Sequence, residues 1–155
     1  MERISQSGLP QGLLQGMFQS QQYIDNSGLD HKLLALIRMR VSQINSCAYC
    51  LDMHFKEGVA EGETPLRLFS VSAWRETPYY SPAEQAVLGF AEILTHMPQE
   101  QHSDHIHDEL NKYFSQEEIA KLTLAVIQIN SWNRLVRSFG SVPGKYQVKQ
   151  RVAAN

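Results

Sequence analysis

The sequence predicts an all-α fold of about six or seven helices, organised as a single domain over residues 1–155. Three observations carry that expectation. Apolar residues recur at spacings of three and four, and two Ser-x-x-Glu pairs stand just before apolar runs. No alternating strand with an Asn-Gly hairpin turn stands out. At 155 residues the chain has one-domain size and can bury a core without staples.

Taken in order, the N-terminal stretch MERISQSGLPQGLLQGMF has Gln and Gly interrupting its apolar residues, which argues against a secretory signal. Leu33, Leu34, Ile37, Val41 and Ile44 trace one apolar face of a helix from about Asp30 to Asn45. Gly58 and Gly62 mark a break. Thr64-Pro65 starts the next helix, with Leu66, Phe69 and Ala73 as its apolar positions. In SPAEQAVLGFAEILTHM, Ser81 is the N-cap, Pro82 the first helical residue and Glu84 the return partner of a capping box. Ser115 and Glu118 repeat the device ahead of LTLAVIQI, whose wide apolar face suits a core helix or a subunit contact. RETPYY and SVPGKY read as connections, and Lys145 to Arg151 as a basic, solvated tail.

An apolar fraction of 43% and a charged fraction of 19% are those of an ordinary soluble globular chain. A net charge of −2 gives no electrostatic footprint for nucleic acid or an anionic membrane surface. No apolar run reaches the roughly 18 residues of a spanning helix. The expected location is the cytoplasm, where structural disulfides are rare.

Against that background, INSCAYCLDMHF holds the chain's only two cysteines, Cys47 and Cys50, with His54 close behind. On a helix these three fall at i, i+3 and i+7 and share a face. Asn45 and Ser46 are N-cap types, which puts the cysteines in a first helical turn. There free N–H groups and the helix dipole stabilise a thiolate. The sulfurs are close enough in sequence to join and reopen, and His54 can take or give a proton. A zinc site has three ligands here and lacks a second Cys pair for the fourth. Inert, core-filling cysteines are the bland alternative. Redox chemistry is the reading the spacing favours. A thioredoxin-type scaffold would place a strand before the pair, whereas here a helix precedes it.

The run LLALIRMRVSQINSCAYCLDMH resembles the core of the carboxymuconolactone decarboxylase superfamily, in its alkyl hydroperoxidase D-like (AhpD-like) branch. LFSVSAWRETPYYSPAEQAVLGFAEILT, LTLAVIQINSWNRL and a closing VPG follow in the same order, so the likeness runs from about Leu33 to Gly144. It implies an all-α fold assembling as a homotrimer or homohexamer. It also implies a cofactor-free, thiol-dependent peroxidase that takes a peroxide substrate and is recharged by an external dithiol reductant. On the matching positions Cys50 would be the peroxidatic thiol, Cys47 its resolving partner and the exposed sulfur open to the reductant, and His54 the proton relay. The family's peroxidase pattern has a glutamate twelve residues before the first cysteine, where this chain has Ala35. Its best-known members have a second histidine where this chain has Tyr49. Glu84 and Glu92 are the candidate replacement carboxylates, although a capping box and a solvated helix position account for them more simply.

HSDHIH offers His102, His105 and His107 with Asp104 and Asp108, but their spacing does not share one face, so a solvated helix start is expected. His31 and His96 stand near helix ends. Trp74, Trp132, Phe90 and Phe139 are expected in the core or at subunit contacts, and Arg38 and Arg40 as surface charges. Two other functions remain beside the peroxidase: a cofactor-free lyase or isomerase on a small acid, and a non-enzymatic redox sensor.

Overall fold

A computed structural model describes residues 2–99 and 104–148. Among these residues there are seven α-helices and no strand: α1 (Gln15–Asp25), α2 (His31–Ile44), α3 (Ala48–Ala60), α4 (Pro65–Ser70), α5 (Pro82–His96), α6 (Asp104–Leu110) and α7 (Gln116–Phe139). A 3₁₀ segment, Val71–Glu76, continues α4. No described helix is long and apolar enough to cross a membrane.

Helix α2 is the hub and packs on α3, α5 and α7. Its residues Leu33, Leu34, Ile37 and Val41 join Val87, Phe90 and Ala91 of α5 and Leu122, Val126 and Ile129 of α7 in the larger core. A second cluster forms on the opposite side of α2 from Ala35, Leu36 and Met39 with Leu68, Val71, Trp74 and Leu88. Being apolar on two sides is what lets one helix carry both clusters.

Both expected capping boxes are present. Ser81 accepts a hydrogen bond from the Glu84 backbone while Glu84 accepts one from the Ser81 backbone, and Ser115 and Glu118 do the same. Asp30 caps α2 and Thr64 caps α4.

Several other expectations are corrected. Gly58 lies inside α3, and the break falls at Gly62, whose φ of +86° suits a residue without a side chain. Gly58 has a packing reason instead: a Cβ there would sit 3.0 Å from Leu68 and 3.3 Å from Ala35. The buried face after Thr64 is Leu68, Val71 and Trp74, whereas Leu66 and Phe69 are exposed. Helix α1 has no capping signal and a Gln-rich surface, yet buries Ile24 and packs Phe18 at a tilt against Trp132, ring centroids 5.2 Å apart.

Arg38 and Arg40 are not free surface charges. Arg38 is buried and pairs with Asp25 at 2.6 Å, and Arg40 pairs with Glu92 at 2.7 Å. Trp74 and Phe90 are buried as expected, and His107 packs edge-on against Phe90. His102 and residues 149–151 of the basic tail lie outside the described residues.

Candidate active site

Cys47 and Cys50 form a disulfide, with Cα atoms 5.3 Å apart. The local chain differs from the capping expectation in an informative way. Asn45 ends α2, Ser46 turns in the left-handed region at φ +51°, and Cys47 itself is the extended N-cap residue of α3. An N-cap needs an extended backbone, which Asn45 and Ser46 do not have here.

This turn is held from behind by α7. Asn45 donates to Asn130 and Asn133 at 3.0 Å each, and buried Asn133 donates to Ser42 at 3.1 Å. The Cys47 N–H donates to the Ser42 carbonyl at 3.0 Å, and Arg137 donates to the Asn45 carbonyl at 2.8 Å. Both sulfur-bearing residues are buried, Cys47 at 0% and Cys50 at 1% exposure, so Cys47 is not the open sulfur expected from the sequence.

His54 follows Cys50 by one turn on the same face of α3. Helical side chains lean towards the N-terminus, so its imidazole leans towards the turn that carries Cys50. Its Nδ1 lies 2.9 Å from Glu57 Oε2, and the other Glu57 oxygen accepts the Tyr146 O–H at 2.5 Å. Nε2 is buried and has no hydrogen-bond partner among the described residues. Burial pulls the His54 pKa down and the Arg38 charge adds to this. The hydrogen bond to Glu57 opposes them without reversing the shift. The imidazole is therefore neutral at pH 7, with Nδ1–H donating to the carboxylate and Nε2 left as a bare acceptor. For Glu57, burial pushes the pKa up, but the hydrogen bonds from His54 and Tyr146 and the Arg38 charge prevail and keep it ionised.

The carboxylate beside the histidine is thus Glu57, which sequence reasoning missed. Its signal was the His-x-x-Glu spacing in HFKEG, which places both side chains on one helix face. Neither earlier candidate is bonded to His54. Glu84 completes its capping box and pairs with Arg67. Glu92 is buried rather than solvated, and takes bonds from Arg40, Trp74 and Arg75 at 2.7, 2.9 and 2.6 Å. Burial raises its pKa, and these three donors more than offset that.

A cavity of about 260 Å³ opens beside the dyad, lined by Asp25, Ala35, Arg38, His54, Glu57 and Tyr146 among others. Ala35, where the resemblance expects a glutamate, therefore borders the same cavity that Glu57 enters from α3. Tyr49 is half-buried, close enough to Tyr146 to contribute to the upward shift of its phenol. Among the described residues no three His, Cys, Asp or Glu side chains gather as a metal cluster.

An all-helical scaffold presenting a Cys-x-x-Cys disulfide one turn before a buried histidine defines an AhpD-like protein. The chain belongs to the carboxymuconolactone decarboxylase family, whose model matches residues 11–92. YdfG of Bacillus subtilis, an uncharacterised protein, is 35% identical over 125 residues, spanning 81% of this chain and 85% of YdfG. The structure of ATU0492 from Agrobacterium tumefaciens, of unknown function and provisionally assigned to antioxidant defence as AhpD, superposes with a TM-score of 0.88. It is 34% identical and the match covers 94% of this chain and all of that one. The debrominase Bmp8 shares the fold at a TM-score of 0.76 and 20% identity, over 86% of this chain and 72% of its own.

Proposed function

We propose that this chain is a thiol-dependent peroxidase that cycles Cys47 and Cys50 between dithiol and disulfide, with the His54–Glu57 dyad moving the proton. The observation that carries the reading is the buried Nε2 of His54, which has no hydrogen-bond partner among the described residues and lies one turn from a disulfide-bonded cysteine. In the disulfide Cys50 has no proton to offer. In the dithiol its S–H supplies the donor that Nε2 lacks.

Nε2 takes the Cys50 thiol proton, and the thiolate attacks the peroxide O–O bond. That gives a sulfenic acid on Cys50 and an alkoxide, which leaves as the alcohol with the proton from His54. The Cys47 thiol then condenses with the sulfenic acid, releasing water and forming the disulfide. An external dithiol returns two electrons and two protons by thiol–disulfide exchange. Glu57 stabilises the transient imidazolium, the part the resemblance would give to a glutamate at position 35. The AhpD assignment of the Agrobacterium relative supports the same chemistry.

The test is turnover of an organic hydroperoxide with several dithiol donors, run beside Cys47→Ser and Cys50→Ser. Activity is expected in the parent protein and its loss in both variants. Peroxide consumption surviving both substitutions would sink the thiol mechanism. The redox sensor is the second reading, and the burial of both sulfurs favours it, because a donor has to gain entry before it can reduce them. A sensor forms the disulfide with peroxide but shows negligible turnover with every donor.

A further inference from the structure

The segment after α7 reads as a connection and a tail, yet residues 144–148 lie along α3. Gly144 turns the chain at φ +98° and donates its N–H to Asp52 at 2.9 Å. Lys56, itself paired with Asp52 at 2.7 Å, donates to the Tyr146 carbonyl at 3.0 Å. Asp52 and Lys56 are one turn apart on one helix face, so these bonds fasten the segment along α3. That places the Tyr146 ring in the cavity wall with its O–H on Glu57 Oε1. Burial and the adjacent Glu57 charge raise the phenol pKa, so Tyr146 remains a donor throughout the working pH range.

Glu57 keeps about a third of its side chain exposed, at 32%, and has three rotatable bonds with which to leave the histidine. One hydrogen bond from His54 restrains a single oxygen. A second, from Tyr146, occupies the other and fixes the carboxylate plane. The charged groups facing His54 are Glu57 from its own helix, Arg38 from α2 and Asp25 from α1. His31 and Glu61 line the same cavity. Of these, Glu57 is the one hydrogen-bonded to the imidazole.

We propose that Tyr146 is a positioning residue for the His54 base. By holding Glu57 Oε1 it presents Oε2 to Nδ1, which fixes the Nδ1–H tautomer and leaves the Nε2 lone pair for the reacting thiol. This adds to the peroxidase reading a part of the chain far from the cysteine motif, and only its kinetic half rests on that reading.

The test is Tyr146→Phe, which keeps the ring and removes the donor. Imidazole ¹⁵N spectra of His54 are expected to show one Nδ1–H tautomer in the parent and a mixture of tautomers in the variant. Oxidation of the reduced protein by a hydroperoxide is expected to slow by about two- to threefold, because Tyr146 acts on the base only through the carboxylate it holds. In a Glu57→Ala background, which leaves Tyr146 no carboxylate to hold, the same substitution should add almost nothing, because residues that act through one another are not additive. An unchanged tautomer in Tyr146→Phe, or an equal rate penalty in both backgrounds, overturns the proposal. If no peroxide oxidises even the parent protein while the tautomer still shifts, the positioning role stands and the peroxidase reading falls.

Discussion

Glu57→Gln isolates the charge of the dyad. Glutamine has nearly the same shape and can still offer an oxygen to His54 Nδ1–H, across the 2.9 Å now spanned by the carboxylate. A hydrogen bond to a charged partner contributes roughly 1.5–3 kcal/mol, against roughly 0.5–1.5 for a neutral one. The difference is about 1–1.5 kcal/mol, and about 1.4 kcal/mol corresponds to tenfold in an equilibrium. Glu57 is partly exposed, so screening favours the lower end. His54 should become a weaker base, and because proton transfer tracks base strength only in part, oxidation of Cys50 should slow roughly two- to fivefold. The assay mixes fully reduced protein with cumene hydroperoxide, quenches at intervals with a thiol reagent and counts the remaining thiols. Glu84→Gln and Glu92→Gln, measured alongside, should oxidise at the parent rate. A Glu57→Gln protein that keeps the parent rate, while either of those two slows, would refute the assignment of the carboxylate.

Glu92→Gln should instead lower stability by about 3 kcal/mol in urea unfolding, because it leaves Arg40 and Arg75 around a neutral buried group. Gly58→Ala gains helix propensity of about 1 kcal/mol. It also forces a methyl to within 3.0 Å of Leu68, which is fully buried and has little room to yield. The net expectation is a loss of about 1 kcal/mol, seen as a Tm several degrees lower. Stability should also fall as the pH drops below about 6.5. The depressed His54 pKa means that the unfolded chain takes up the proton before the native one does, so acid favours unfolding. The slope approaches about 1.4 kcal/mol per pH unit between the unfolded and folded pKa values, and His54→Gln should flatten it in thermal melts from pH 7.5 to 5.5.

Much of the scaffold was legible because its helix starts are chemically marked. Asp30, Thr64, Ser81 and Ser115 all cap the helices expected of them. Helix α1 lacked such a mark, and its burial depends on partners supplied by α7, over a hundred residues away. After Thr64 two sets of apolar residues compete at helical spacing, and periodicity alone cannot say which one meets the core. The motif Cys47, Cys50 and His54 was readable because one helix holds it. Glu57 shares that helix, but a glutamate before a glycine on a mixed surface reads as solvated until Tyr146 is seen against it. Tyr146 itself could not be found from spacing, since its contact with Glu57 crosses 89 residues. Arg38 and Arg40 were misjudged for the same reason, because their carboxylates lie on other helices.

If an external thiol reduces this disulfide, as the proposed cycle requires, the burial of both cysteines decides which thiols can do so. Exchange needs an attacking thiolate in line with the S–S bond, and both cysteines are closed off from solvent. A small, abundant thiol gains nothing from its concentration if the turn at Ser46 stays shut. A donor that docks on the turn and spreads it gains a great deal. Selectivity among reductants would then be a property of the Asn45–Asn133 clamp, set by how readily α7 lets the turn go, rather than of the reduction potentials of the donors.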